Sequence, residues 1–328
     1  MTLTKISVII TLHNRKEYIL ECLKSVLNQT LSRELFEIIV IKNFDDLNID
    51  KFIYENKIIA LKTNNDSIGE KFVLGAEHSS GEILCILNDD DLFTKDKLEY
   101  ILHLFGQNEK LIYYHNSFVK VGEQGEIKDD NVKLKNFIIN TKTICKKTIK
   151  IALSGLNTFN DSCISIKRNI ILEYKSLLIN INGNQDTILF LLSATKDGIL
   201  VGNNEKLTYY RTHISTSNFS NDGDKSIKKF NALINRRLQS YSSILPLFMD
   251  RDILYKYVKC NYQSNLLQSL IFKDLKRCKV LNETVRFIKC PFAMSFKTRL
   301  FLIFILLLKI IDDNIIYKHV SKLIFKYY

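Results

Sequence analysis

Within the first 105 residues, short β-branched apolar runs alternate four times with stretches of helical periodicity. "ISVIIT" (6–11) reads as a buried strand. In the segment after it, Ile19, Cys22, Leu23, Val26 and Leu27 recur at i, i+3, i+4, i+7 and i+8, which is one face of a helix. "EIIVI" (37–41), "IIAL" (58–61) and "EILCIL" (82–87) are three further strands. "SIGE" (67–70) has the form of a capping box, opening a helix that runs to about Ser79. Thr94 is placed to cap the next helix, whose Leu98, Ile101, Leu102 and Phe105 share a face. This alternation predicts an α/β fold, a mostly parallel sheet with helices on both faces. Ligands of such sheets bind beyond the carboxyl ends of the strands.

After Leu111 the pattern is less regular. "LIYYHNSFVKV" (111–121), "SCISIKR" (162–168) and "KLTYYRTH" (206–213) read as strands, and "DTILFLLSATKDG" (186–198) as a helix closed by its glycine. The polar "SNFSNDGDKS" (217–226) is the expected domain boundary. It gives a first domain over 1–220 and a second over 221–328 that reads almost entirely as helices.

The net charge of +12 is unevenly placed, with −2 over residues 1–224 and +14 over residues 225–328. A basic third predicts an anionic partner for that part, against the plainer reading of a solvated basic helical surface. It carries no recognised nucleic-acid motif, so an anionic membrane surface is expected and nucleic acid is not. Nine uncharged apolar residues, Leu300 to Leu308, precede Lys309. A simple span needs about 18 or more, so this run reads as an interfacial or buried helix. The seven cysteines have no metal-binding spacing and read as reduced core thiols of a cytoplasmic protein. The start of the chain reads as a strand and not as a signal peptide.

"GEILCILNDDDLF" (81–93) carries the chemistry. A core strand stops at Asp89, Asp90 and Asp91, and three adjacent carboxylates buried without partners would be very costly. Carboxylates at a strand end, with hard oxygen donors, suit Mg²⁺ or Mn²⁺ held partly by substrate phosphates. The plain alternative is an acidic loop tip facing water.

"KISVIITLHNRKEYILECLKSVLNQT", "EIIVIKN", "SSGEILCILNDDDLFTKDKL", "NQDTILFLLSATKDG" and "LTYYRTHISTS" occur in this order. They resemble five landmarks of family 2 glycosyltransferases, over roughly residues 4–217. The resemblance implies a GT-A fold, Rossmann-like, followed by the helical C-terminal domain. It places Thr11, Leu12, His13 and Asn14 where the first strand meets the nucleotide. In "LNDDDL" it puts Asn88 in the first acidic position and Asp90 in the metal-binding one. Asp89 and Asp91 are then expected to hydrogen-bond ribose, water or sugar. After strand two the family has Asp-Asp-Gly-Ser, whereas this chain has Lys42-Asn43-Phe44-Asp45. A lysine cannot accept the base N–H, so Asn43 or Asp45 is expected to take over that contact. "NQD" (184–186) matches the family's Gly-Glu-Asp, which makes Asp186 the implied catalytic base, with Gln185 in place of the usual Glu. The plain reading of Asp186 is a carboxylate complementing the helix dipole. The Tyr-Arg-x-His match implies Arg211 and His213 as donors to the leaving diphosphate, and Lys71 is a further phosphate candidate.

The expected activity is transfer of a sugar from a UDP- or GDP-sugar to an acceptor hydroxyl, by a single inverting displacement that needs a divalent cation. The expected acceptor is a cell-surface glycan or a lipid-linked sugar, reached from the inner face of the cell membrane. Two alternatives stand beside it. A nucleotidyltransferase would carry a glycine-rich loop after the first strand, which "TLHNRKEY" lacks. A non-catalytic sugar-nucleotide-binding or membrane scaffold protein draws on the departures at Lys42 and Asn88.

Overall fold

The computed structural model describes residues 5–13, 16–65, 67–212 and 223–270, with Thr284, Phe287, Ile303, Phe304 and Leu306. The chain divides into two compact units, Met1–His213 and Ile214–Tyr328.

The first unit begins with β1 (Ile6–Thr11), α1 (Lys16–Leu27), β2 (Phe36–Lys42), α2 (Leu47–Glu55), β3 (Ile59–Lys62), α3 (Ile68–Glu77) and β4 (Ile83–Asn88). The four strands run parallel in the order β3-β2-β1-β4. All six residues of β1 are buried, as befits a central strand covered on both faces. Its side chains alternate between the faces. Val8 and Ile10 join a core with Ile19, Cys22, Leu23 and Val26 of α1 and Ile49 and Ile53 of α2. On the other face, a Cβ on Gly75 of α3 would come within 2.7 Å of Ile9. Glycine there lets the helix lie close against the sheet.

The sheet continues through β5 (Leu92–Phe93), α4 (Lys97–Gln107), β6 (Leu111–Val121), β7 (Ile127–Asp129), β8 (Phe137–Asn140), α5 (Lys146–Ala152) and β9 (Ile164–Lys167). Then come α6 (Arg168–Glu173), α7 (Lys175–Leu178), α8 (Gln185–Ser193) and β10 (Ile199–Arg211). The full order is β3-β2-β1-β4-β9-β6-β10-β5, with β7 on β6 and β8 on β10. Beyond β4 the pairing is mixed. β9 is antiparallel to β4 and β6, while β10 is parallel to β6 with three register shifts.

Several local expectations need correction. Ser67 does cap α3, its hydroxyl accepting from the Glu70 N–H, but the box is only half formed. The Glu70 carboxylate accepts instead from Thr63 and Asn65. Thr94 does not cap α4: the cap position is Asp96, and the Thr94 hydroxyl is buried without a partner. Gly198 does not close α8, which ends at Ser193; the Gly198 N–H donates to Thr141 Oγ1 at 2.9 Å at the start of β10. Cys145 is exposed at the start of α5, unlike the buried Cys22, Cys85, Cys163 and Cys260.

In the second unit, the described helices are α9 (Gly223–Ile244) and α10 (Asp252–Leu270). The expected boundary at 217–226 falls mostly outside the described residues, and its last four residues form the first turn of α9. Ser226, Phe230, Ile234, Tyr241 and Ile244 are the buried stripe of α9, while Lys225, Lys228 and Arg236 are exposed. The apolar run at Leu300–Leu308 lies largely outside the described residues. Within it Phe304 is exposed and Leu306 buried. No described helix is long and apolar enough to cross a membrane.

Candidate active site

Strand register places Thr11 of β1 beside Ile41 of β2 and Asn88 of β4. From β1 the chain passes to β2 on one side, whereas β4 lies on the other. That reversal opens a crevice at the carboxyl edge of the sheet. The acidic turn, Asp89 to Asp91, follows β4 directly at this edge.

The three carboxylates are held differently. Asp89 is fully buried and accepts from the His13 backbone N–H. Asp91 is also buried and has three donors: the Arg211 N–H at 2.9 Å on Oδ1, and Ser162 Oγ at 2.6 Å and Asn160 Nδ2 at 2.9 Å on Oδ2. Burial, and after it the charge of Asp90, pushes Asp91 up to about 7. Asp90 is the most exposed of the three, at 8%. Protein donors therefore answer much of the charge raised by the acidic run. The expectation that Asp89 and Asp91 hydrogen-bond the donor gives way to an internal role for both.

Most residues expected at the nucleotide serve the frame of the site. Leu12 is buried, and its carbonyl accepts from Lys71 Nζ at 2.8 Å; the same Nζ lies 3.4 Å from His13 Nδ1. Lys71 is itself fully buried, so it fixes the turn after β1 from beneath and is not presented to a phosphate. The Thr11 hydroxyl is buried with no hydrogen-bond partner. Asn43 is half-buried at the end of β2. Beside it, Lys42 forms ion pairs with Asp50 and Asp45, and Asp45 also pairs with Lys62. The lysine that stands in the family's acidic position is thus neutralised locally. Asn88 points its amide at Asn160 Oδ1, 3.2 Å away, and its backbone N–H at Ser162 Oγ, 3.0 Å away. Asn14 and His213 lie outside the described residues.

Asp186 sits in the first turn of α8, after Asn184 in the left-handed region at φ 55°. Its Oδ1 accepts from the Thr187 N–H at 2.6 Å and its Oδ2 from the Asn160 N–H at 3.2 Å. Asn160 therefore bridges Asp186, Asp91 and Asn88, joining the candidate base to the acidic turn.

Arg211 needs a second correction. Its guanidinium donates to the carbonyls of Asp90, Gly122 and Glu123 and to the Glu21 carboxylate, and it packs over the Tyr18 ring. The side chain is buried, so it clamps the acidic turn from within and does not face a leaving group.

The sequence reading passed over Asn160, Asp161, Ser162 and Lys97. Asn160 and Asp161 form a visible polar pair just ahead of the expected strand at 162–168, and Ser162 opens that strand. Lys97 is fully buried, donating to Ser162 O at 2.6 Å and Thr208 Oγ1 at 3.0 Å above the Phe93 ring. Burial pushes its ammonium down to about 8. Its signal was its place one turn ahead of Ile101 on the buried stripe of α4.

Among the described residues, no group of three His, Cys, Asp or Glu side chains could hold a metal ion. Asp90, the position that the family resemblance gives to a metal, is the most exposed carboxylate of the turn. That suits Mg²⁺ or Mn²⁺, ions commonly held by one or two carboxylates with phosphates and water completing the shell.

A parallel half-sheet with an acidic turn at its switch point is the arrangement of the GT-A fold. Comparison with known proteins makes this specific: the profile of glycosyl transferase family 2 matches residues 7–173, and the chain belongs to that family. A Rickettsia bellii protein described as an uncharacterized glycosyltransferase is 28% identical over 221 residues, covering 66% of this chain and 30% of that protein. The poly(ribitol-phosphate) beta-glucosyltransferase of Bacillus spizizenii is 32% identical over 101 residues, covering 29% of this chain and 16% of that protein. The chain spans about a third of the length of the Rickettsia relatives. Among solved structures, residues 1–349 of S. aureus TarS in complex with UDP superpose with a TM-score of 0.59 at 14% identity, covering 97% of this chain and 91% of TarS 1–349. The complex with UDP-GlcNAc gives 0.59 at 13% identity, with coverages of 97% and 92%. At such identity the likeness shows the shared fold.

Proposed function

We propose that this chain moves a sugar from a nucleotide-diphosphate donor, first of all a UDP-sugar, to an acceptor hydroxyl in one inverting displacement. The observation that carries the reading is the Asn160 bridge, which builds Asp186 and the acidic turn into one hydrogen-bonded unit at the edge of the sheet. Asp186 takes the proton of the acceptor hydroxyl as that oxygen attacks the anomeric carbon. The bond from that carbon to the diphosphate breaks on the opposite face, and the nucleoside diphosphate departs with the electron pair. No covalent intermediate is needed. Asp90 would hold Mg²⁺ or Mn²⁺ together with the diphosphate, and the ion would supply positive charge to the leaving group.

The UDP and UDP-GlcNAc complexes of the similarly folded TarS support a uridine donor over a guanosine one. A cell-surface polymer or a lipid-linked sugar is the acceptor class. A Bacillus subtilis relative described as a minor teichoic acid biosynthesis protein, 26% identical over 113 residues, supports the former. The charge of +14 over residues 225–328 supports a peripheral position on the cytoplasmic face of the membrane.

The test offers a panel of UDP- and GDP-sugars to the full chain, with Mn²⁺ or with a chelator, and measures nucleotide diphosphate release and thermal shift. One donor is expected to give a cation-dependent shift and slow release, faster with acceptor. No shift and no release with any donor would contradict the proposal.

A further inference from the structure

The segment 158–161 and the first turn of α8 are laced together by three successive contacts. Thr158 Oγ1 lies 3.2 Å from Thr187 Oγ1, the Asn160 N–H donates to Asp186 Oδ2 at 3.2 Å, and Gln185 Nε2 donates to Asp161 Oδ2 at 2.9 Å. The pairing runs antiparallel, so Asp161 grips the residue just ahead of Asp186. On each side a non-glycine residue is held in the left-handed region, Asn160 at φ 76° and Asn184 at φ 55°. Such backbone persists only where surrounding contacts enforce it. Here the lacing supplies them.

Resting on the reading of Asp186 as base, we propose that Asp161 is a positioning residue for sugar transfer. It holds the start of α8 so that the Asp186 carboxylate meets the acceptor hydroxyl.

Asp161 does this as a neutral acid. It is 4% exposed, and its Oδ1 has no hydrogen-bond partner. Asp91, close by and equally buried, has three donors, whereas Asp161 has only the Gln185 amide. A buried carboxylate with one donor is strongly disfavoured as an anion. Burial first, and then the charge of Asp186, pushes Asp161 well above the usual carboxylate range. The charged and titratable groups around it are Asp186 from α8, Asp91 from the turn after β4, Tyr113 and His115 from β6, Lys97 from α4 and the adjoining Cys163. Lys97 is directed to Ser162 O and Thr208 Oγ1. A neutral Asp161 leaves Asp186 able to carry the single negative charge that a general base needs.

The experiment measures kcat, donor KM and the pH profile of kcat for the full chain. Asp161→Ala is expected to lower kcat on the order of 10- to 100-fold, the scale of a small misplacement near the chemistry, at unchanged donor KM. Asp161→Asn, which mimics the neutral acid, is expected to recover most of that loss and to leave the acid limb of the profile in place. Should Asp161→Ala not fold, Gln185→Leu breaks the same contact and is expected to show the same loss. Near-normal kcat in Asp161→Ala or Gln185→Leu overturns the proposal. So does a downward shift of the acid limb in Asp161→Asn, which would mean that Asp161 is charged in the working enzyme. Full turnover in Asp186→Asn would instead remove the base assignment itself. An inactive Asp186→Asn beside an undisturbed Asp161→Ala removes only this inference.

Discussion

Arg211 holds Asp91 through its backbone, not its charge. The Arg211 N–H donates to Asp91 Oδ1 at 2.9 Å, while the guanidinium turns to the carbonyl of Asp90, also at 2.9 Å, and to Glu21 at 2.6 Å. The last residue of β10 thereby clamps the acidic turn to the edge of the sheet. Arg211→Ala would strip donors from several buried acceptors and is expected to lower stability by roughly 3 kcal/mol or more. Arg211→Lys keeps the charge but loses the planar fork, so it should recover only part of this. Urea unfolding is the check, and an unchanged midpoint in Arg211→Ala would refute the clamp.

Asp90 is expected to carry the dependence on metal. In Asp90→Asn, calorimetry should show donor binding that no longer strengthens when Mn²⁺ is added, with the fold intact by circular dichroism. Equal cation-dependent affinity in the variant and the native chain would show that the ligand lies elsewhere.

His115 makes stability depend on pH below neutrality. It is fully buried beside the Phe159 carbonyl, 3.0 Å from its Nε2, and burial pushes it from 6.5 down to about 3. Between those values the unfolded chain binds a proton that the folded one refuses. Stability from this group is therefore complete above pH 6.5 and falls as the pH drops below it, by roughly 1.4 kcal/mol per pH unit. His115→Gln should flatten the fall in unfolding free energy between pH 6.5 and 4.5. An identical slope in both proteins would contradict the assignment.

The parallel half of the sheet was legible because it obeys simple periods. Residues of β1 are buried on both faces, and the α1 residues Ile19, Cys22, Leu23 and Val26 repeat as a helix must. β10 was only half visible. Its first residues lead into Gly202 and an exposed stretch through Lys206, with register shifts and no clean alternation. Within the site, sequence order put Asp90 and Asp186 forward as candidates but misjudged the surroundings. Hydrogen bonds link Lys71 to Leu12 across 59 residues and Arg211 to Asp91 across 120. Whether a cation serves a ligand or the fold depends on those distant partners, and no local pattern carries that information. Asn160 was missed for the same reason, since its partners come from two distant stretches, the end of β4 with its acidic turn and the start of α8.

The basic third is expected to dock on anionic membranes. Exposed Lys225, Lys228 and Arg236 on α9 belong to a region of net charge +14. Basic residues near an anionic surface contribute about 1 kcal/mol each, less at high salt. Full-length protein should co-sediment with anionic vesicles at low salt and less at high salt. A chain ending at Lys297, which lacks Leu300–Leu308, should bind more weakly. Equal and negligible binding of both would rule out this partner.

The central claim is that Asp186 is the base of a glycosyl transfer, and the most direct measurement compares Asp186→Asn with the native chain in donor binding and turnover. The account predicts unchanged donor affinity by calorimetry and a kcat reduced by roughly 10²- to 10⁴-fold, the usual contribution of general-base catalysis. Turnover near the native rate in Asp186→Asn would contradict it and leave Asp186 as a carboxylate that only complements the start of α8.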